Sequence, residues 1–254
     1  QGAPLSGAAV IGPAVGSMVA ACAEILSTAS YGESMRPCSF AAAATYALFL
    51  VFGMGSWVTV NALFTELPLL VVKLPEGWHL ASVLALAVQL ANVGPLAFYG
   101  LRRWSMRCDP ERGEERATVA ATYALIVVGA VSMAGLASFW SVTVDFGGTS
   151  HSLPFIVFAF LAAMADCTSS LVFWRFAGTF RAVHISALAA GEGMSGVVAS
   201  LFVCLQDAGG AHPNFTPRVY FGLFACVMCI CLAAYHALRS LPCVQPERRP
   251  PALA

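Results

Sequence analysis

Residues 117–144 read ATVAATYALIVVGAVSMAGLASFWSVTV and contain no Asp, Glu, Lys or Arg. A helix needs about 20 mainly apolar residues to cross the hydrocarbon core of a bilayer, so this stretch alone commits the chain to a membrane. Charges are also missing from 1–23, 37–65, 77–101, 146–165 and 219–238, and 182–206 is broken only by Glu192. Across 254 residues, 59% are hydrophobic and 10% charged; a soluble domain carries about 25% charged residues. The fold expected is an all-α polytopic membrane protein, a six-helix bundle with spans at 40–62, 80–100, 118–140, 152–174, 184–206 and 218–238.

Thirteen basic and thirteen acidic residues cancel, which excludes a nucleic-acid footprint. Their placement is informative. With the chain starting inside, Arg36, the connections 101–117 and 175–183 and the tail from 239 collect eleven Lys and Arg, and the opposite side holds only Lys73 and Arg218. That asymmetry predicts six helices with both termini in the cytoplasm. The sequon Asn214-Phe215-Thr216 then falls in an external loop, a candidate glycosylation position whose use its nearness to the membrane and Pro217 argue against. The domain reading is a leader over 1–36, disordered or an extra helix, a six-span bundle over 37–240, and a cytoplasmic tail over 241–254.

Seven of nine cysteines fall in or beside apolar segments, against a disulfide framework. Cys226, Cys229 and Cys231 have metal-like spacing but no His or acidic neighbour, so they read as soft packing residues and no metal or cofactor is expected. No P-loop occurs, which excludes ATP-driven transport within the chain.

Polar groups within spans are costly and usually face a bundle interior or an aqueous cavity. Gly53, Trp57 and Asn61 recur every four residues and share a helix face. Gln89 and Asn92 precede Gly94-Pro95, a pair able to unwind a helix lining a cavity. Asp166, Ser169, Ser170 and Phe173 form a stripe at i, i+3, i+4 and i+7. Glu192 lies in Gly191-Glu192-Gly193-Met194-Ser195-Gly196, where small residues permit close helix approach. Asp166 and Glu192 each lie eight residues from the inner end of their spans, roughly 12 Å deep at 1.5 Å per residue, and are candidates to share or sense a proton. Together these groups suit an uncharged or weakly charged, hydrogen-bonding solute with an aromatic body.

Several strings carry a resemblance. Phe52-Gly53-Met54-Gly55-Ser56-Trp57-Val58-Thr59-Val60-Asn61, Glu66-Leu67-Pro68 and Leu74-Pro75-Glu76-Gly77-Trp78 are similar to the first span and loop of the eukaryotic riboflavin transporters, solute carrier family 52. Gln89 to Leu96, Asp166 to Ser170 and Gly191 to Gly196 resemble that family's second, fourth and fifth spans. The resemblance covers roughly 40–240. It implies plasma-membrane uptake of riboflavin by alternating access, without ATP hydrolysis or cofactor, on a major-facilitator-like fold of which this chain is one half. It places Trp57, Asn61, Gln89, Asn92, Ser169, Ser170 and Glu192 along the vitamin's path, and Glu66, Glu76 and Trp78 at an external entrance. Implied partners are riboflavin, the lipid bilayer, and a C-terminal half or second chain.

The chain departs from the family where it reads Val172-Phe173-Trp174-Arg175-Phe176, losing a helix-bending proline and adding a charge. Two rival readings remain. One is a truncated, non-transporting membrane partner. The other is a rhomboid-like intramembrane serine protease built on Gly193-Met194-Ser195-Gly196 and His236; the predicted depths of Ser195 and His236 differ by about 14 Å, too far for a base and its nucleophile.

Overall fold

The computed structural model describes residues 40–208, 213–242 and 244. The leader over 1–36 lies outside them, as does the tail over 241–254 apart from Leu241, Pro242 and Val244. The described residues are helical almost throughout: α1 (Phe40–Met54), α2 (Val58–Lys73), a short 3-10 turn (Gly77–His79), α3 (Leu80–Ala91), α4 (Val93–Cys108), α5 (Gly113–Phe139), α6 (Leu153–Ala177), α7 (Ala182–Gln206) and α8 (Pro217–Ser240). Among the described residues, five helical segments are long and apolar enough to cross a membrane, α3 and α4 counting as one; α1 and α2, bent by 50° at Gly55-Ser56-Trp57, make a sixth as a broken pair. The protein is therefore a polytopic all-α membrane protein.

The expected spans match these helices to within one residue where they overrun them, and the connections after the first, second and fourth spans are shorter than expected. The first span does not stop at 62: after the bend, α2 continues through Glu66 and Pro68 to Lys73. The Arg-rich stretch 101–117 is not a loop either. Helix α4 carries it to Cys108 and α5 resumes at Gly113, leaving four residues between them. Charged residues there extend the helices beyond the apolar length, because helix propensity for Arg and Glu is high and snorkelling side chains reach water.

Between α5 and α6 a small hairpin forms, β1 (Val144–Phe146) paired antiparallel with β2 (Thr149–His151). Its turn is Gly147-Gly148, both with positive φ (62° and 84°). That backbone suits glycine and matches the strand twist of a two-residue hairpin.

Helix α5 packs against α4, α6 and α8, while α6 also meets α2 and α3, and α7 lies on α2. The core is aromatic where α1, α6 and α8 meet: the Phe52 ring lies tilted 4.3 Å from Phe173 and stacks 5.1 Å from Tyr235, and Phe49 lies 4.9 Å from Phe180, just past the end of α6. Phe173, expected as part of a polar stripe, is thus a buried core residue. Gly53 and Gly191 fix the crossing of α1 and α7: a Cβ on Gly191 would strike the Leu50 carbonyl, and one on Gly53 the Leu188 carbonyl. Gly94 serves similarly against Thr168. Its role is close packing of α4 on α6, with the helix interrupted two residues earlier at Asn92.

Candidate functional site

The break between α1 and α2 organises the polar interior. Ser56 and Trp57 lie in the break, opposite Ser169 and Ser170 on α6 and Glu192 and Ser195 on α7. Ser56 Oγ lies 2.9 Å from Ser169 Oγ and 3.0 Å from Glu192 Oε1. Trp57 Nε1 donates to Ser170 Oγ at 3.1 Å, and Asn61 Nδ2 to Ser195 Oγ at 2.8 Å. Ser195 Oγ donates onward to the Glu192 carbonyl. One hydrogen-bonded group thus joins three transmembrane segments, and Trp57, Asn61, Ser170 and Glu192 remain partly exposed at its edge while Ser56, Ser169 and Ser195 are buried.

Glu192 has a second donor. Trp174 Nε1 lies 3.0 Å from the same Oε1 that Ser56 reaches. The departure at Val172–Phe176 therefore changes the site: the indole fastens α6 to α7 one helical turn from the serine pair. Its neighbour Arg175 points to Glu114, 2.7 Å away, and Glu114 also takes Arg102 at 2.9 Å. The added charge is thereby held in a partly exposed ion-pair group linking α4, α5 and α6.

Asp166 has a different task. Fully buried, its Oδ2 accepts the backbone N–H of Val60 at 2.8 Å, in the first turn of α2. The expected pairing of Asp166 with Glu192 does not form: the two carboxylates accept from separate donors, Val60 on one side and Ser56 and Trp174 on the other. Their separation follows from the break, because the unwound turn places Ser56 toward Glu192 and the N–H groups opening α2 toward Asp166.

The remaining candidates lie apart from this group. Gln89 and Asn92 are exposed, and Asn92 Nδ2 donates only within its own turn, to the Val88 and Gln89 carbonyls. Glu66 is fully buried; its Oε1 accepts from Gln206 Nε2 at 2.9 Å, and Gln206 also reaches the Phe215 carbonyl. Glu76 caps α6 from outside it, accepting from Ser152 N (2.7 Å) and Ser152 Oγ (2.6 Å). Trp78 is 84% exposed. Asn214 is exposed, with its amide donating to the Leu205 carbonyl.

Sequence reasoning passed over Ser56 and Trp174 as site residues, and weighed Ser195 only as a nucleophile. The signal for Ser56 was present: a serine between Gly55 and Trp57, inside Gly53–Asn61, is where a span can break. The hydroxyl of Ser195 is engaged by Asn61 and the Glu192 carbonyl, whereas His236 Nδ1 lies 3.0 Å from Tyr123 OH. The two belong to separate groups, and no protease dyad is assembled. Cys226, Cys229 and Cys231 likewise diverge: Cys231 is buried with its thiol on the Val51 carbonyl, and the other two are exposed.

A bundle of apolar helices with a broken first span and a half-open polar group at the break defines a multi-pass membrane protein with polar side chains gathered in its interior. Residues 41–252 match the family described as solute carrier family 52, riboflavin transporter, and the chain belongs to that family. It is 33% identical over 237 residues to riboflavin transporter 2 of Salmo salar, covering 81% of this chain and 50% of that protein. Solute carrier family 52, riboflavin transporter, member 3-B of Danio rerio is 32% identical over 231 residues, with 81% and 50% covered. The Homo sapiens member 3 is 40% identical over 162 residues, with 64% and 33% covered. The chain thus spans about half the length of the first two of these relatives.

Proposed function

We propose that this chain forms one half of a plasma-membrane riboflavin carrier that works by alternating access, without ATP hydrolysis, cofactor or enzymatic step, with both ends of the six-span bundle in the cytoplasm. The observation that carries this reading is the hydrogen-bonded group at the α1–α2 break, half-open along Trp57, Asn61, Ser170 and Glu192. Indole faces suit the isoalloxazine ring, and amide, hydroxyl and carboxyl groups suit its polar edge and ribityl chain. Broken helices at mid-membrane are where carriers bind solutes and where backbone can change direction during transport.

In this reading Trp57, Asn61, Ser169, Ser170 and Glu192 bind the vitamin. Gln89 on α3 and Asn92 at the break before α4, both exposed, complete the wall when further spans face them. Trp78 stands at the external entrance, with Glu76 and Glu66 shaping it from the Ser152 cap and the Gln206 contact. Asp166 and Glu192 are the groups through which protons would act.

The experiment is uptake of labelled riboflavin by cells expressing the 254-residue chain, beside the chain joined to a second half from a relative, with surface abundance measured for both. Uptake by the joined form, lost in N61A and W57A, is expected. A joined form that reaches the surface and moves no riboflavin overturns the substrate. A short chain that reaches the surface, moves nothing and lowers uptake by a co-expressed full-length carrier supports the second reading, a non-transporting partner.

A further inference from the structure

The Arg-rich end of α4 divides its charges into two sets. On one side Arg102 and Arg175 share Glu114, and Arg116 pairs with Asp109 at 2.9 Å. On the other, Arg103 and Arg107 stand one helical turn apart, both exposed, and among the described residues neither makes an ion pair. Tyr99, Arg102, Arg103, Met106 and Arg107 line a groove of about 330 Å³. Tyr99 is 57% exposed and Trp104 65%. Upstream the same helix pair shows bare aliphatic residues to its surroundings, Leu90 at 60% and Leu96 at 72%.

That order, from aliphatic residues to aromatic rings to free guanidinium groups, follows the layers of a bilayer leaflet from acyl chains through the interface to the headgroups. Glu114 and Asp109 are already paired with Arg102, Arg175 and Arg116, of which only Arg102 lines the groove, so Arg103 and Arg107 keep their charge unmatched by either acid. Two forks at i and i+4 present parallel N–H donors that fit phosphate oxygens. Basic pockets beside spanning helices on the cytoplasmic side are places where phosphorylated headgroups bind.

We infer that Tyr99, Arg103 and Arg107 form a binding site for the phosphorylated headgroup of an anionic phospholipid in the leaflet facing this end of α4. The cytoplasmic identity of that leaflet rests on the orientation proposed above; the site itself does not. The lipid would anchor α4 at the interface while α5 and α6, tied to it through Glu114, rearrange.

The test uses the 254-residue chain purified in neutral detergent and incubated with phosphatidylinositol 4-phosphate or phosphatidylcholine, with bound lipid counted by native mass spectrometry. The wild-type chain should retain phosphatidylinositol 4-phosphate preferentially. R103Q/R107Q should lower that retention about 30-fold, taking each lost arginine at its ordinary interfacial worth. R116Q/R175Q removes the same charge from ion-paired arginines that do not line the groove and should change retention less than threefold.

Equal losses in the two double variants would reduce the effect to net charge and overturn the site. So would absence of preference over phosphatidylcholine, or full competition by soluble inositol phosphate, which would make the ligand a free anion. A self-associated species lost in R103Q/R107Q, in place of bound lipid, would assign the groove to a second copy. Labelling of a cysteine placed at Arg112 from outside intact cells would refute the orientation and leave the lipid result standing.

Discussion

Asp166 Oδ2 accepts the backbone N–H of Val60 at 2.8 Å although the two residues lie on different helices. Val60 is the third residue of α2, and the residue preceding that helix is Trp57, whose side chain carries no oxygen to cap it. An N-cap Ser, Thr, Asp or Asn would ordinarily satisfy that donor. Here the acceptor comes from α6, so the start of α2 and the position of α6 are fixed by one bond. The broken span can therefore open only if this bond lengthens or finds a substitute.

Asp166→Ala should leave the Val60 N–H buried without an acceptor and cost about 1–3 kcal/mol. At about 2–4 °C per kcal/mol for a chain of this size, the unfolding midpoint in detergent should fall by several degrees. Asp166→Asn keeps an acceptor oxygen of the same reach and should recover more than half of that loss. Equal losses in the two variants would mean that the carboxylate charge, not the cap, is what the fold uses.

Ser56 and Trp174 converge on a single oxygen of Glu192, at 3.0 Å each. Either donor alone leaves Oε1 bonded, so Ser56→Ala and Trp174→Phe should each cost about 1 kcal/mol. The double variant should cost more than their sum by at least about 0.5 kcal/mol, because it strips the carboxylate of both. Additive midpoints in a double-mutant cycle would show that the two bonds act independently.

Gly191 and Gly193 sit two residues apart in one helix with opposite tolerance. A methyl group on Gly191 meets the Leu50 carbonyl and the Cα of Gly53 at 3.0 Å, both backbone atoms that cannot step aside; around Gly193 nothing lies within 4 Å. Gly191→Ala should therefore push α7 from α1 and lower the folded yield by severalfold in size-exclusion chromatography. Gly193→Ala should match the unmodified chain or exceed it, since alanine favours helix by about 1 kcal/mol.

These contacts show what the amino-acid order discloses. Charge-poor runs located each spanning helix among the described residues, because the hydrocarbon core penalises charge wherever it falls. Helical periodicity put Trp57 and Asn61 on one face and Ser169 beside Ser170, and the four do meet in one hydrogen-bonded group. What periodicity cannot carry is which neighbour a polar group meets across a break. Asp166 and Glu192 have matching predicted depths, yet a 50° bend sends their donors in different directions. The hairpin at Gly147-Gly148 was legible in its turn residues but lay between two spans that drew the reading. The extension of α2 to Lys73 was obscured by Glu66, whose charge reads as a loop until a buried partner, Gln206, is seen.

That partner supports the last prediction. Glu66 Oε1 is held by Gln206 Nε2, while Glu66 Oε2 and Gln206 Oε1 find no hydrogen-bond partner among the described residues. Gln206→Leu removes the one donor and leaves a buried carboxyl with none, a change that typically destabilises by more than removal of both groups together. The single variant should thus unfold at a lower midpoint than Glu66→Leu/Gln206→Leu, even though the double variant departs further from the native sequence. Gln206 also holds the Phe215 carbonyl at 3.2 Å, a bond lost equally in both variants. The difference between them therefore isolates the carboxyl. A double variant no more stable than the single one would show that the carboxyl tolerates loss of its donor, and that Gln206 matters through Phe215 and the α7–α8 connection alone.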